Sequence, residues 1–142
     1  LLFEKLKQTG RNERDVTMLP TMPQYRKIRR LDGEYVFTGE ELDVKFDNAV
    51  GSAGDFRKKG KHYQIPYPCL YHKGFDNLLA AGRMISASGE GWEITRVIPV
   101  AALTGEAAGR AAAMSVQSGL PVSDIDVSSL QERLKSNGVL FI

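Results

Sequence analysis

Between Asn77 and Ala113 the sequence reads NLLAAGRMISASGEGWEITRVIPVAALTGEAAGRAAA, and two groups in it could hold an anion or an electron-rich ring. The first closes LLAAGR. Gly82 lets backbone approach a ligand, and Arg83 offers a planar fork of donors. The turn region behind it adds Ser86, Ser88, Gly89, Gly91 and Arg96. The second group is the start of a helix at Pro99, where proline's missing N–H costs nothing. The N–H groups of about Val100 to Leu103 are expected to be free there, and the helix dipole favours negative charge beside them. Neither Ile98 nor Pro99 supplies a capping oxygen, so a ligand could serve as the cap. Taken singly, each arginine reads better as half of a surface ion pair, with Glu90, Glu93 or Glu106 as partner.

Behind that helix start, Ala101, Gly105, Ala108 and Ala112 share one face, flanked by Ala102 and Gly109. Each glycine costs about 1 kcal/mol of helix propensity relative to alanine, so a close neighbour should offset the loss. For the C-terminal turns that neighbour is expected to be a sheet.

These groups need elements to position them. A turn at Asp76-Asn77 and a buried strand from Leu78 to Ala81 would deliver Gly82 and Arg83 to a strand end, where ligands collect in open α/β sheets. A helix from about Pro99 to Gln117, a break at Gly119-Leu120-Pro121, a helix over Val127–Lys135 and a last strand, GVLFI, complete this half. Upstream, Leu2, Phe3 and Leu6 before Gly10 mark a helix end, followed by a connector. Tyr25–Arg30 and Glu34–Thr38 read as strand, with Asp32-Gly33 either a hairpin turn or a bulge in one long strand. EELDVKFDNAV holds a helical turn before a short strand. GSAGDFRKKGKH is the least regular stretch, and its Arg57, Lys58, Lys59 and Lys61 read as a solvated loop in preference to a phosphate site. Pro66 and Pro68 keep YQIPYPCLYHKG extended.

The totals exclude other classes. A chain of 142 residues with 42% apolar and 25% charged residues is one ordinary globular domain's worth. A net charge of +2 is too small to argue for nucleic acid or an anionic membrane, and no apolar run approaches the roughly 20 residues of a membrane span. Cys69 stands alone, which rules out an internal disulfide and favours a reducing compartment, so a cytoplasmic protein is expected. Leu1 is not a start methionine and no secretory leader precedes it, so the chain is expected to be an excised piece of something longer. His62 and His72 are read as structural or exposed, and no metal site is expected.

The stretch YQIPYPCLYHKGFDNLLAAGRMISASGEGWEITRVIPVAALTGEAAGRAAA resembles the C-terminal part of FAD-dependent oxidoreductases with a glutathione-reductase-like nucleotide-binding fold, closest to a bacterial family of them. RKIRRLDGEYVFTGEEL and VSDIDVSSLQERLKSNGVLF are similar to flanking segments of the same family. The resemblance implies FAD as cofactor, with Gly82 and Arg83 beside its ribityl and pyrophosphate part and Ser86 in the same cofactor-binding turn. It implies Pro99, Val100, Ala101, Ala102 and Leu103 against the isoalloxazine, where helix N–H groups would stabilise charge on the reduced ring. By a more distant likeness, Arg96 is implied as the catalytic candidate, contacting substrate or flavin.

The chain departs from the family in SGEGWEI, which puts Ser88, Glu90 and Trp92 beside the substrate position, and in GDFRKKGK, with Arg57 where a histidine would stand. It also lacks the G-x-G-x-x-G loop that cradles the ADP pyrophosphate. The expected fold class is therefore mixed α/β: residues 1–24 a helix end and connector, 25–61 a β-rich part of a substrate domain with a basic loop, and 62–142 the C-terminal strand–helix part of an FAD-binding domain. The expected function is a C-terminal fragment of an oxidoreductase that moves a hydride between substrate and flavin, inactive alone. Its expected partners are the N-terminal nucleotide-binding half and a small-molecule substrate, with a homodimer as a further candidate. The competing reading is a non-catalytic module that packs its Gly/Ala helix on a partner subunit. A nucleic-acid binder using the Arg57–Lys61 cluster ranks last, because interleaved aromatics are missing.

Overall fold

The computed structural model describes Glu4, Lys7, Gln8, Gly10 and residues 26–142. The helix end expected at Leu2, Phe3 and Leu6 and the connector after Gly10 lie outside those residues. The described part is a small mixed α/β structure with a two-stranded antiparallel sheet, β1 (Ala49–Gly54) and β2 (His62–Pro66), and three helices, α1 (Gly89–Thr95), α2 (Ile98–Ser118) and α3 (Val127–Ser136).

Tyr63 and Ile65 make β2 a natural strand, but β1 reads AVGSAG and has little strand propensity of its own. Pairing and burial form it. Ser52 lies opposite Gln64 and Gly54 opposite His62, with a bulge towards Ala49, while Ala49 and Val50 are completely buried. The stretch expected to be an irregular loop is therefore a hairpin whose tip, residues 55–61, carries the basic residues.

Helix α2 lies against this hairpin through Val100, Thr104, Ala107, Ala111 and Met114, one stripe at helical spacing. Gly119, in left-handed conformation, ends it by donating its N–H to Ser115 O at 2.9 Å. The face expected against a sheet is a different one. Gly105 and Ala112 are exposed, Ala101 and Ala108 lie at the margin, and a Cβ added at Gly105 or Gly109 would meet nothing within 4 Å. Burying the bulkier stripe gains more apolar area, so the helix turns that side to the core.

Three strand expectations are corrected. Over residues 26–48 the ladder contact is one bridge, Phe37 to Ala87; Leu31, Glu34 and Phe37 instead give their N–H groups to Met84 O, Tyr71 O and Ser86 O. The Asp32-Gly33 hairpin or bulge does not form. Leu78–Ala81 is reduced to a bridge between Leu79 and Tyr71, because the turn at Asp76-Asn77 and the 3-10 turn at Gly82–Met84 close in on both sides. The tail Val139–Ile142 runs along β1 without joining it as a strand: Ser52 N–H donates to Leu140 O at 2.8 Å, but the next bonds use the side chains of Ser52 and Gln64. The extended reading of YQIPYPCL holds through Pro66 and then gives way to a 3-10 turn, Tyr67–Cys69.

Helix α1, which the sequence reading did not anticipate, forms where GEGWEI allows close approach. A Cβ on Gly91 would stand 2.3 Å from Phe37 O, and the Gly91 N–H donates to Thr38 O at 2.6 Å. A single apolar cluster links Phe37, Val50, Ile65, Tyr67, Leu70, Ile85, Ile94, Val100, Leu130 and Leu134. The two expected parts, 25–61 and 62–142, thus share one core.

Candidate cofactor-binding site

Two concavities meet at the start of α2. Helix α2 begins at Ile98, and its N-cap position, Val97, contributes no side-chain hydrogen bond. Ala101 N–H already donates to Val97 O at 3.0 Å, so the N–H groups ahead of the first helical bond are those of Ile98 and Val100. The expected donor set of Val100 to Leu103 shifts towards the N-terminus for this reason. Ala102 is exposed, Ala101 is half-buried, and the Val100 side chain is buried towards the core, leaving its backbone as its contribution to the mouth.

The first concavity, about 500 Å³, is lined by Arg26, Arg83 and Arg96 together with Val97, Ile98 and Pro99. Gly82 positions one wall. Its φ of +70° is in the left-handed region that favours glycine, and its N–H donates to Thr104 Oγ1 at 2.9 Å. The Thr104 hydroxyl in turn donates to Val100 O at 2.7 Å, so the Gly82–Arg83 turn is pinned to the first turns of α2. Trp92 on α1 braces the next carbonyl, donating from Nε1 to Arg83 O at 2.7 Å.

Arg96 follows α1 and pairs with Glu93 through Nε and Nη2, each 2.6 Å from Oε2. Lys27 Nζ pairs with the other oxygen, Glu93 Oε1. The bonds from Lys27 and then Arg96 hold the Glu93 carboxyl below the usual carboxylate range. Three arginines thus face a cleft in which Arg96's carboxylate partner is shared with a lysine. Such a surface attracts negative charge.

The second concavity, about 740 Å³, lies between the hairpin tip and the other side of the same helix start, with Val97, Pro99, Val100 and Leu103 from the α2 side. Its rim is held by an ion-pair network. The fully buried Asp55 carboxylate accepts from Arg57 N–H at 2.9 Å, Nε at 3.0 Å and Nη2 at 3.2 Å, and Arg57 Nη2 also reaches Glu90 Oε2 on α1 at 2.8 Å. Hydrogen bonding from Arg57 keeps Asp55 below its ordinary pKa despite burial, and Arg57 is raised in turn.

Of the residues singled out in the sequence, Arg83, Arg96 and Pro99 line the first concavity together, Val100 and Leu103 line the second with Pro99, and Gly82, Ala101 and Ala102 line neither, although Gly82 is bonded to Thr104 on α2. Ser86 does not reach either cleft: it is completely buried, with its N–H on Cys69 O at 2.8 Å and its carbonyl accepting from Phe37. Arg26, Val97, Ile98 and Thr104 were not anticipated. RKIRR carried a charge signal for Arg26, whereas the role of Thr104 follows only from the fold. Cys69 is buried, which pushes its thiol up to about 12 and leaves it no nucleophilic role at neutral pH. Among the described residues no His, Cys, Asp and Glu group could hold a metal, and no helix is long and apolar enough to cross a membrane.

No curated protein and no solved structure matches the chain. The family model described as FAD dependent oxidoreductase does match, over residues 2–134. Since that match spans nearly the whole sequence, the chain belongs to the FAD dependent oxidoreductases, a family whose cofactor is FAD.

Proposed function

We propose that this chain forms the later wall of an FAD site, in which the start of α2 faces the flavin and the arginine cleft holds an anionic part of the cofactor or of its reduced ring. The observation that carries this reading is the uncapped helix start opening onto Arg26, Arg83 and Arg96. The donor chemistry fits the group: guanidinium forks and helix N–H groups suit a diphosphate or the electron-rich edge of a reduced flavin. Gly82, at φ +70°, holds the turn beside the helix start in the left-handed conformation that favours glycine.

Bound FAD would supply the redox chemistry by taking up the equivalent of a hydride from the substrate. The protein's part is electrostatic. The N–H groups of Ile98 and Val100 and the dipole of a 21-residue helix are oriented before any charge develops, so no reorganisation is needed when it does. Pro99, Ala101, Ala102 and Leu103 shape that face, and Arg96, fixed by Glu93, contacts substrate or flavin. The finer fold reading is a glutathione-reductase-like FAD domain joined to part of a substrate domain. Because the sequence has no G-x-G-x-x-G loop, the ADP half is held by a nucleotide-binding partner segment, and this chain alone binds FAD weakly and does not turn over. The lone buried cysteine supports a cytoplasmic setting.

The test is FAD affinity of the intact protein carrying Arg83→Ala or Arg96→Ala, followed by flavin fluorescence. Removing a charge-assisted contact is expected to weaken binding about 10-fold or more, and unchanged affinity and turnover in both variants would reject the assignment.

A further inference from the structure

We infer that the tip of the β1–β2 hairpin selects an organic acid as substrate: an apolar body with a carboxylate or phosphate head, seated between Lys58, Lys59 and Lys61 and the first turns of α2. This rests on the flavin reading above and names the substrate class that it leaves open.

Arg57 is committed to the buried Asp55 and to Glu90, so it is a strut that fastens the tip to α1. Its neighbours make no close ion pair, Lys58 adding only a longer-range pull on the Asp55 carboxylate. Among the described residues no carboxylate lies within ion-pair distance of Lys58, Lys59 or Lys61, and all three are exposed. The turn is well defined around them: Asp55 N–H bonds Lys61 O at 3.2 Å and Lys58 N–H bonds Asp55 O at 3.0 Å. Three ammonium groups are therefore carried on a braced loop above a concavity of about 740 Å³. That volume falls within the range of about 300–1,000 Å³ usual for small-molecule sites.

The opposite wall is apolar. Val97, Pro99, Val100 and Leu103 line it, and Phe56, 67% exposed, adds a ring at the tip. A cationic rim over an apolar floor discriminates against two kinds of molecule. A neutral apolar compound leaves the lysines unanswered, and a compact polyanion gains nothing from the floor. An amphipathic acid satisfies both. Val97 and Pro99 belong to this concavity and to the arginine cleft alike, so an acid bound here would lie beside the flavin-facing helix start.

Calorimetric titration of the FAD-loaded intact protein with hexanoate and with hexanamide tests the inference, in the wild type and in K58Q/K59Q/K61Q. The lysines are exposed and form no ion pair within 4 Å among the described residues, so the variant is expected to fold normally, checked by its thermal midpoint. Hexanoate should bind the wild type about 10-fold more tightly than hexanamide, and the triple variant should lose that preference. FAD affinity should stay within about two-fold, since these side chains lie outside the arginine cleft. Equal binding of acid and amide, or hexanoate affinity unchanged in the variant, would overturn the inference while leaving the flavin site standing. A fall in FAD affinity with the triple substitution would also overturn it, by placing the lysines on the cofactor. If the wild-type protein took up no FAD, the flavin reading would fail instead, and the acid-over-amide preference would still decide the tip's role by calorimetry.

Discussion

At the start of α3, Asp126 turns its carboxylate back on the helix, accepting from Ser128 N–H at 3.0 Å and from the Ser129 hydroxyl at 2.6 Å, whereas α2 starts at Val97 with no side-chain acceptor and no acidic residue in its first turn. The C-terminal end of α3 is finished as well, with Arg133 and Lys135 in the last turn and Leu130 and Leu134 fully buried. One helix completes its hydrogen bonding from its own residues. The other leaves the N–H groups of Ile98 and Val100 beside a cluster of arginines, so its positive end is reinforced where α3's is neutralised. The difference separates a helix start closed by its own side chain from one that no side chain closes, which is the feature the proposed flavin site uses.

The comparison can be broken most severely at α3's core contact. Leu134→Ala should cost about 2–5 kcal/mol in denaturant unfolding, since the side chain is entirely buried in the apolar cluster. On the α2 side, Gly82→Val should cost about 1–3 kcal/mol, because a β-branched residue resists the left-handed backbone at φ +70°, and it should loosen FAD as well. Val97→Asp sharpens the contrast: giving α2 the cap it lacks should stabilise the FAD-free protein by about 1 kcal/mol while lowering FAD affinity through competition for the same N–H groups. Gly105→Ala should raise stability by about 0.5–1 kcal/mol on helix propensity, as nothing in the described structure lies within 4 Å; a loss instead would reveal a partner on that face. The smallest effect is a response to acid. Hydrogen bonds from Ser129 and then Ser128 lower the Asp126 carboxyl below its ordinary 3.8. Its cap is therefore complete above that value and is lost as pH falls through the depressed folded pKa. Amide exchange should show the first turn of α3 loosening in acid, while the start of α2, with no acidic cap, does not follow.

Helix extents were legible to within a residue or so: α2 was read from Pro99 to Gln117 and runs Ile98–Ser118, and α3 was read as Val127–Lys135 and runs Val127–Ser136. Their signals are local, in proline, a glycine stop and apolar spacing. The strands were less legible, because β1 has little propensity and exists by pairing, while Leu78–Ala81 has propensity but only Tyr71 to bridge. Helix α1 could not be read from GEGWEIT, whose glycines argue against a helix until Phe37 O is known to press on Gly91. In the site, Arg83 and Pro99 were recognisable by motif. Taken singly, Arg96 reads as half of an ion pair with Glu90, Glu93 or Glu106, and it does pair with Glu93; the contact to substrate or flavin that the family resemblance implies for it belongs to the proposed function. In sequence the basic tip reads as a solvated loop, because charge in a sequence says nothing about the wall opposite it.

The family, the FAD dependence and the bare, uncapped start of the long helix are all written in neighbouring residues. Folding sets which face of that helix is buried, brings Arg26, Arg83 and Arg96 to one cleft, and turns the lysines of a distant hairpin onto the same helix start. The physical reason is that propensity and capping act over a few residues, whereas burial and the meeting of charges depend on which surfaces the whole core brings together.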